Sequence, residues 1–158
     1  MEIVKRPPPP TGLARLLFRL PVHLYRMRLG RLLGGRFLLL DHVGRVSGRK
    51  RQAVVEVVEH DRSDDSYVVA SGFGEQADWY RNVLAAPEVT VQVGARRLAV
   101  RATRLSTEDG AAVMARYAPR HPAAAVRLCR FMGFAVDGSE ADYREVGRNI
   151  PFLRFVPR

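Results

Sequence analysis

The sequence of 158 residues contains a single cysteine, Cys129. A lone cysteine cannot form an intramolecular disulfide, so the fold does not depend on one and suits a reducing compartment. The four histidines are widely spaced, and none has a second ligand three or four residues away in the pattern that binds zinc or iron. We therefore expect no metal site in this protein.

Long apolar runs are also missing. No stretch approaches the ~18 consecutive apolar residues that span a bilayer. Arginines interrupt every apolar run near the N-terminus, and no small-residue cleavage site follows them. We expect neither a transmembrane helix nor a secretory signal, and hence a cytoplasmic protein.

Acidic residues are scarce relative to basic ones. Asp and Glu number 16 against 26 Lys and Arg, which gives a formal net charge of +10. Such a charge favours anionic partners, which include nucleic acid, a membrane surface and acidic small molecules, and it does not choose among them. The length fits one domain with one sizeable core.

The N-terminal quarter differs in pattern from the rest of the chain. Residues 1–11 contain four consecutive prolines and predict an extended arm. Residues 12–35 combine regularly spaced leucines with arginines and contain no acid, which predicts an amphipathic cationic helix, bent or split at Pro21. Two interpretations stay open: the helix lies on anionic lipid at the inner face of the plasma membrane, or it packs across one end of the domain formed by residues 36–158.

From Phe37 onwards, short apolar runs separated by turn residues indicate strands of a small barrel. We place six strands at Phe37–Val43, Ala53–Glu59, Tyr67–Ser71, Val89–Val93, Leu98–Leu105 and Phe152–Val156. Helices are predicted at Ala77–Ala86, from the capping sequence at Ser106 to about Tyr117, and at Ala123–Phe131. Asp137 to Asp142 is interpreted as an acidic loop.

The most informative segment joins the first two predicted strands. It reads Gly44-Arg45-Val46-Ser47-Gly48-Arg49-Lys50-Arg51. Two glycines allow a tight turn whose amides converge on one anion, the serine adds a hydroxyl, and four cations surround them. The pattern suits a phosphate or a chain of carboxylates, although a solvated basic turn has the same composition.

Two further segments follow in order. Ala70-Ser71-Gly72-Phe73-Gly74 ends a strand with small residues, which let a flat ring approach the backbone. Asp78-Trp79-Tyr80-Arg81-Asn82 then places the only tryptophan at the start of a helix. Trp79 is compatible with a wall beside a planar ligand and equally with a core position.

These segments in this order resemble the deazaflavin-dependent nitroreductase family, actinobacterial reductases that use coenzyme F420. The resemblance also includes Leu40-Asp41-His42-Val43 before the basic turn, Ala86-Pro87 after the helix, and Arg148-Asn149-Ile150-Pro151 before the last strand. It covers roughly residues 37–156, with a looser match in the preceding helix.

The resemblance implies an α+β fold: a six-stranded split β-barrel of the flavin-nucleotide-binding type with flanking helices. It implies that the cofactor phosphate and glutamate tail bind Arg45, Ser47, Gly48, Arg49, Lys50 and Arg51. It further implies that the deazaflavin ring lies along Ala70, Ser71 and Gly72, with Trp79 at the border of the pocket. Val46 occupies a position where the family commonly has a basic residue.

The implied chemistry is transfer of a hydride from the reduced cofactor to a small, hydrophobic, electron-poor acceptor. Quinones, enones and unsaturated acyl compounds are expected, and nitro compounds are compatible. Tyr80, Tyr117 and His121 are candidate proton donors, and Glu56, on an apolar strand face, is expected to pair with an arginine. Two alternatives stay open: an FMN-binding barrel and a basic nucleic-acid-binding module. The sequence contains no recognised nucleic-acid-binding motif, and we do not expect nucleic acid as a partner. The chain is expected to be a monomer or a homodimer.

Overall fold

The computed structural model describes residues 36–158 and the backbone of Glu2–Ile3. The predicted helix over residues 12–35 and most of the predicted arm over residues 1–11 lie outside the described residues. The assignment of these two segments therefore stays a prediction. No helix in the described part of the chain is both long and apolar enough to cross a membrane.

The main strands are β2 Phe37–Val43, β3 Lys50–Asp61, β4 Ser66–Ala70, β5 Glu88–Val93, β6 Arg96–Arg104 and β8 Phe152–Pro157. These six antiparallel strands close into a barrel in the order β2-β3-β4-β8-β6-β5. The α+β class and the six-stranded barrel predicted from the sequence are confirmed. β3 is longer than predicted because its first residues continue the ladder with β2 as far as the pair Val43 and Lys50.

The buried apolar residues form two clusters, one inside the barrel and one between the barrel and the helices, and strand β4 contributes to both. All five of its residues are buried, because its alternate side chains enter different apolar clusters. Val69 lies in the barrel interior with Leu38, Val91 and other strand residues, whereas Val68 lies in an outer cluster between the barrel and the helices. A strand covered on both faces reads as a continuous apolar run, as Tyr67 to Ala70 does.

The helices are α1 Asp78–Ala85, α2 Thr107–Arg120, α3 Pro122–Phe131 and α4 Glu140–Arg148. The predicted cap of α2 is confirmed, since the Asp109 amide donates to Ser106 Oγ at 3.1 Å. Helix α1 ends before Pro87 as the sequence predicts. These helices, apart from α1, cover the outer cluster.

The interpretation of Asp137 to Asp142 as a loop is wrong in its second half, because α4 begins at Glu140. Ser139 caps this helix by accepting the Asp142 amide at 3.1 Å, and the carboxylates of its first turn complement the helix dipole. The helix packs closely on α2, where a Cβ on Gly147 would lie 2.4 Å from the Gly110 carbonyl oxygen. This contact between distant residues is not visible in the local sequence.

A two-residue ladder outside the barrel was not predicted. Strand β1, Glu2–Ile3, pairs antiparallel with β7, Phe134–Ala135. Such short strands carry too few residues for a sequence pattern. The pairing brings the start of the chain to the segment between α3 and α4.

Candidate cofactor-binding site

The barrel topology places two loops of interest at the same end. β2 and β4 both run antiparallel to β3, so their C-terminal ends point the same way. β4 pairs with β3 only from Val57 onwards, whereas β2 pairs with it from Lys50. The first part of β3 therefore has a strand partner on one edge alone among the described residues. Helix α1 begins shortly after β4 and contacts β2 at this end.

The cationic bend, residues 44–51, is closed by its own backbone. The Gly44 amide donates to the Arg49 carbonyl at 2.9 Å, and the Gly48 amide donates to the Gly44 carbonyl at 2.9 Å. Gly48 has a φ of +69°, a backbone conformation that residues other than glycine rarely adopt. Ser47 Oγ accepts the Arg49 amide at 3.2 Å, so its proton can be donated to a ligand.

Three cations of this bend have no carboxylate partner among residues 36–158. Arg49, Lys50 and Arg51 are exposed and form no ion pair there. Several other arginines of the barrel pair with acids, as Arg97 does with Asp41 at 3.1 Å, so three adjacent cations without such partners are a distinct feature of this bend. Because like charges repel across a short bend, an anionic ligand would stabilise this arrangement.

Arg45 behaves differently, because helix α1 holds it. Its backbone amide and its Nη1 donate to Asn82 Oδ1 at 3.0 and 2.8 Å, and its Nη2 lies 3.4 Å from Asp78 Oδ1. The Arg45 side chain is 27% exposed. These contacts dock the cationic bend on α1, and the predicted contact between Arg45 and a ligand stays a prediction.

Asn82 connects this contact to a buried histidine. Its Nδ2 lies 3.2 Å from Nδ1 of His42, and both side chains are buried. Burial, followed by the nearby positive charge of Arg51, lowers the pKa of His42 to about 4. The imidazole is therefore neutral at physiological pH. Neither residue was predicted as functional, although both lie inside the segments that carry the family resemblance.

The second loop follows β4. Ser71 is buried, its hydroxyl donates to the Gly74 carbonyl at 2.6 Å, and its amide donates to the Pro151 carbonyl at 3.0 Å. A small pocket opens beside it, lined by Ser71, Gly72, Phe73, Gly74, Met132, Phe134, Asn149, Ile150 and Pro151. Ser71 therefore shapes the loop, and Gly72 presents backbone at the pocket.

Gly72 faces an aromatic side chain that sequence reasoning missed. A Cβ on Gly72 would lie 3.1 Å from Cε1 of Phe131, and Phe131 packs edge-on against Phe73 with ring centroids 5.2 Å apart. Phe131 is 41% exposed. The apolar periodicity of α3 does not identify Phe131 as a site residue, because its contacts Gly72 and Phe73 lie on a loop far away in the sequence.

The other predicted ring contacts lie nearby in sequence but differ in environment. Ala70 is buried in the outer cluster. Trp79 is half-buried against the barrel interior, with its ring 6.0 Å from that of Tyr80 in an edge arrangement. Trp79 follows Asp78 on α1, next to the helix face that holds Arg45. Their contact with a ring stays a prediction.

The three candidate proton donors do not form one group. Tyr80 is buried in the barrel interior, and its hydroxyl has no hydrogen-bond partner among the described residues. Tyr117 is buried in the outer cluster, and its ring lies 5.2 Å from that of the exposed His121. Burial, followed by the charge of Glu56, raises the pKa of Tyr117 well above its usual value.

Glu56 was expected to pair with an arginine. Arg36 Nη2 lies 3.9 Å from its Oε1, and the Tyr117 hydroxyl donates to the same oxygen at 2.9 Å. The shorter contact is the hydrogen bond from Tyr117. Glu56 therefore has two partners, and one of them lies on a helix 61 residues away.

Comparison with known proteins connects this arrangement to a family. The sequence model of a family described as F420H(2)-dependent quinone reductase matches residues 17–130, which is more than half of the chain. The comparison with curated proteins gave no match.

Solved structures share the fold. An F420-H2 dependent reductase, FDR-A, is 22% identical with a TM-score of 0.52, and the match covers 76% of this chain and 93% of that one. HutZ, the heme storage protein from Vibrio cholerae, is 13% identical with a TM-score of 0.53 over 85% of this chain and 89% of that one. Protein Rv2991 from Mycobacterium tuberculosis is 11% identical with a TM-score of 0.53 over 85% and 79%. At these identities the likeness shows the barrel fold alone.

Proposed function

Since the chain belongs to the F420H(2)-dependent quinone reductase family and is an F420H2-dependent oxidoreductase, we propose that it reduces a small, hydrophobic, electron-poor acceptor, with a quinone as the first choice. Enones and unsaturated acyl compounds share the required electron deficiency, and nitro compounds are compatible acceptors. The choice of a quinone rests on the family match, and the observation that carries the cofactor site is the cationic bend, whose Arg49, Lys50 and Arg51 have no carboxylate partner among residues 36–158.

The residues present fit coenzyme F420. Its phosphate and glutamate tail carry several negative charges, and the bend offers three exposed cations, a hydroxyl on Ser47 and a glycine turn at Gly48. Charge-assisted hydrogen bonds of this kind are about twice as strong as neutral ones. A long anionic tail matches three separate cations better than a single phosphate does, which favours F420 over FMN.

The second loop supplies the surface for the ring. Gly72 presents backbone without a side chain, and Ser71 holds the loop in place through its bonds to Gly74 and Pro151. Trp79 on α1 is proposed to border the same space. Apolar groups around the pocket, among them Met132 and Phe134, exclude water and suit a hydrophobic acceptor.

The bound reduced cofactor supplies a hydride to the acceptor, and the protein orients the two flat molecules. A proton must also reach the product. Tyr117 donates its hydroxyl proton to Glu56, and its raised pKa makes it a weak acid, so it serves as a hydrogen-bonded relay beside the exposed His121 rather than as the primary acid. We propose this pair, rather than the enclosed Tyr80, as the route by which a proton enters from solvent.

Oxidation of reduced F420 by a panel of acceptors tests the activity. A quinone, an enone, an unsaturated acyl compound and a nitro compound are compared, and the return of oxidised-cofactor absorbance is followed. The quinone should be reduced fastest. Tighter binding of FMN than of F420, together with no oxidation by any acceptor, would contradict the proposal.

Membrane attachment is a separate proposal that rests on the sequence pattern of residues 12–35. Leucines and arginines without acids suit a cytoplasmic protein that binds the anionic inner face of the plasma membrane. Sedimentation with vesicles in which about one third of the lipid is anionic tests this proposal. Replacing Arg15, Arg19, Arg26, Arg28 and Arg31 by Gln should abolish binding, and unchanged sedimentation contradicts the proposal.

A further inference from the structure

We propose that Asn82 and His42 are positioning residues for the cationic bend: His42 orients the Asn82 amide, which holds the backbone and side chain of Arg45 and so presents the bend to the cofactor tail. The inference rests on the proposed role of the bend. Neither residue touches the cofactor in this proposal, and both act through Arg45.

The orientation of the Asn82 amide follows from its donors. The Arg45 amide and the Arg45 guanidinium can only donate, and both reach the same atom of Asn82, at 3.0 and 2.8 Å. That atom must be the oxygen. The NH2 group of Asn82 therefore points to the other side, where Nδ1 of His42 lies at 3.2 Å.

The histidine must accept this hydrogen bond. Its Nδ1 carries no proton while it accepts from Asn82, so the neutral ring carries its proton on Nε2. His42 is buried and sits opposite Arg51 in the β2–β3 ladder, and its other charged neighbours are Asp41 and Asp78. Burial and the positive charge of Arg51 keep the ring in the neutral form that accepts.

Asn82 contributes more to this contact than Asp78 does. The Asp78 side chain is 80% exposed and lies 3.4 Å from Arg45, and exposed ion pairs of this kind contribute little. Asn82 is buried and receives two shorter bonds, so losing it would leave buried polar groups unpaired. Among residues 36–158, the other hydrogen bonds of the turn itself, residues 44–49, lie within the bend.

Two forms of the cofactor distinguish positioning from general destabilisation. The bend binds the tail, so loss of the Asn82 contact should weaken binding of F420 and spare the deazaflavin chromophore without its phosphate and glutamates. Asn82→Leu should weaken F420 binding about tenfold and change the affinity for the tail-free chromophore less than twofold. The Arg45 amide donates a hydrogen bond to Asn82 Oδ1, so its hydrogen exchange should become faster in the same variant.

A conservative variant sharpens the test. Asn82→Asp keeps an oxygen for Arg45 and replaces the NH2 group by a second oxygen facing His42. It should restore most of the F420 affinity and slow Arg45 amide exchange. The new carboxylate should also raise the pKa of His42, measured by NMR titration of the imidazole.

The control is Thr103→Val, which removes an exposed hydrogen bond from Thr103 to the Arg154 carbonyl elsewhere on the barrel. It should leave both affinities and Arg45 exchange unchanged. Unchanged Arg45 exchange in Asn82→Leu, or equal loss of both affinities, overturns the inference. If Asn82→Leu does not fold, His42→Phe is used, with the same readouts. Equal affinity of the wild-type chain for both cofactor forms would instead overturn the role of the bend, and Arg45 exchange would still test the Asn82 contact.

Discussion

The two bends at the ends of β3 differ in how they are closed and in whether their charged side chains have partners. The cationic bend, residues 44–51, closes with backbone bonds and leaves Arg49, Lys50 and Arg51 without acidic partners in the described part of the chain. The acidic bend, residues 61–66, caps its own amides with Asp61 and Asp64, and its Asp65 pairs with Arg96 of β6.

In the acidic bend, Asp65 has two basic partners. Asp65 binds Arg96 and lies 2.8 Å from His60 Nε2, and the hydrogen bond from Arg96 is the main reason that its pKa lies below its usual range. The His60 ring also stacks on Tyr67 with centroids 4.1 Å apart. The acidic bend therefore contributes to the fold and needs no ligand. The contrast indicates that three adjacent cations without carboxylate partners, rather than charge itself, mark the cationic bend as the binding segment.

The largest expected effect follows from removing the uncompensated charge. The triple variant Arg49→Gln, Lys50→Gln and Arg51→Gln should weaken F420 binding on the order of a thousandfold, since each charge-assisted bond contributes about 1.5 kcal/mol. Fluorescence titration measures the affinity. The matched control Arg62→Gln, Arg96→Gln and Arg101→Gln removes the same charge elsewhere on the barrel, and an equal loss there would mean that net charge alone binds the cofactor.

The buried histidine beside the cationic bend predicts that stability depends on pH. The pKa of His42 is about 4 in the fold and 6.5 ordinarily, so between these values the unfolded chain binds more protons and stability falls as pH falls. This group should account for about 3 kcal/mol of stability lost between pH 7 and pH 4. Urea unfolding of the wild-type chain and His42→Gln should diverge in that interval. Parallel pH profiles would contradict the burial of a neutral His42.

A smaller effect concerns backbone conformation. Each bend has a residue in the left-handed region, Gly48 in the cationic bend and Asp65, with a φ of 60°, in the acidic bend. Gly48→Ala should cost about 1 kcal/mol of stability. Gly48→Asn should cost less, because asparagine tolerates this region better. No atom lies within 4 Å of the added Cβ, so a larger loss would point to a contact rather than to backbone strain.

The smallest expected effect belongs to the acidic bend. Asp65→Asn removes the charge partner of Arg96 and should lower the melting temperature by a few degrees, because the pair is partly exposed. The affinity for F420 should stay within twofold of wild type. A tenfold loss of affinity would show that the two bends are coupled through β3.

The sequence allowed the barrel to be predicted because its signals are local. Alternating apolar residues and turn residues placed the strands to within a few positions, and Ser106 marked the start of α2. Helix α4 was missed because its short apolar face packs on Gly110 of a distant helix. The paired strands β1 and β7 are too short to leave a pattern.

The sequence predicted which residues form the cationic bend, and it did not predict the hydrogen bonds that hold them in place. The four basic residues of the cationic bend look equivalent in the sequence, yet only Arg45 is held by α1, through Asn82, 37 residues away. His42 reads as an ordinary strand residue until its contact with Asn82 is known. Long-range hydrogen bonds of this kind have no local sequence signature, so they could not be inferred before the fold.

The most direct test compares F420 with its tail-free chromophore on the wild-type chain at low and high salt. The account predicts that F420 binds on the order of a thousandfold more tightly at low salt, because the three charge-assisted bonds to the tail contribute about 1.5 kcal/mol each. This advantage should shrink as added salt screens the exposed cations. Equal affinities for the two molecules at low salt would contradict the claim that the cationic bend binds the tail.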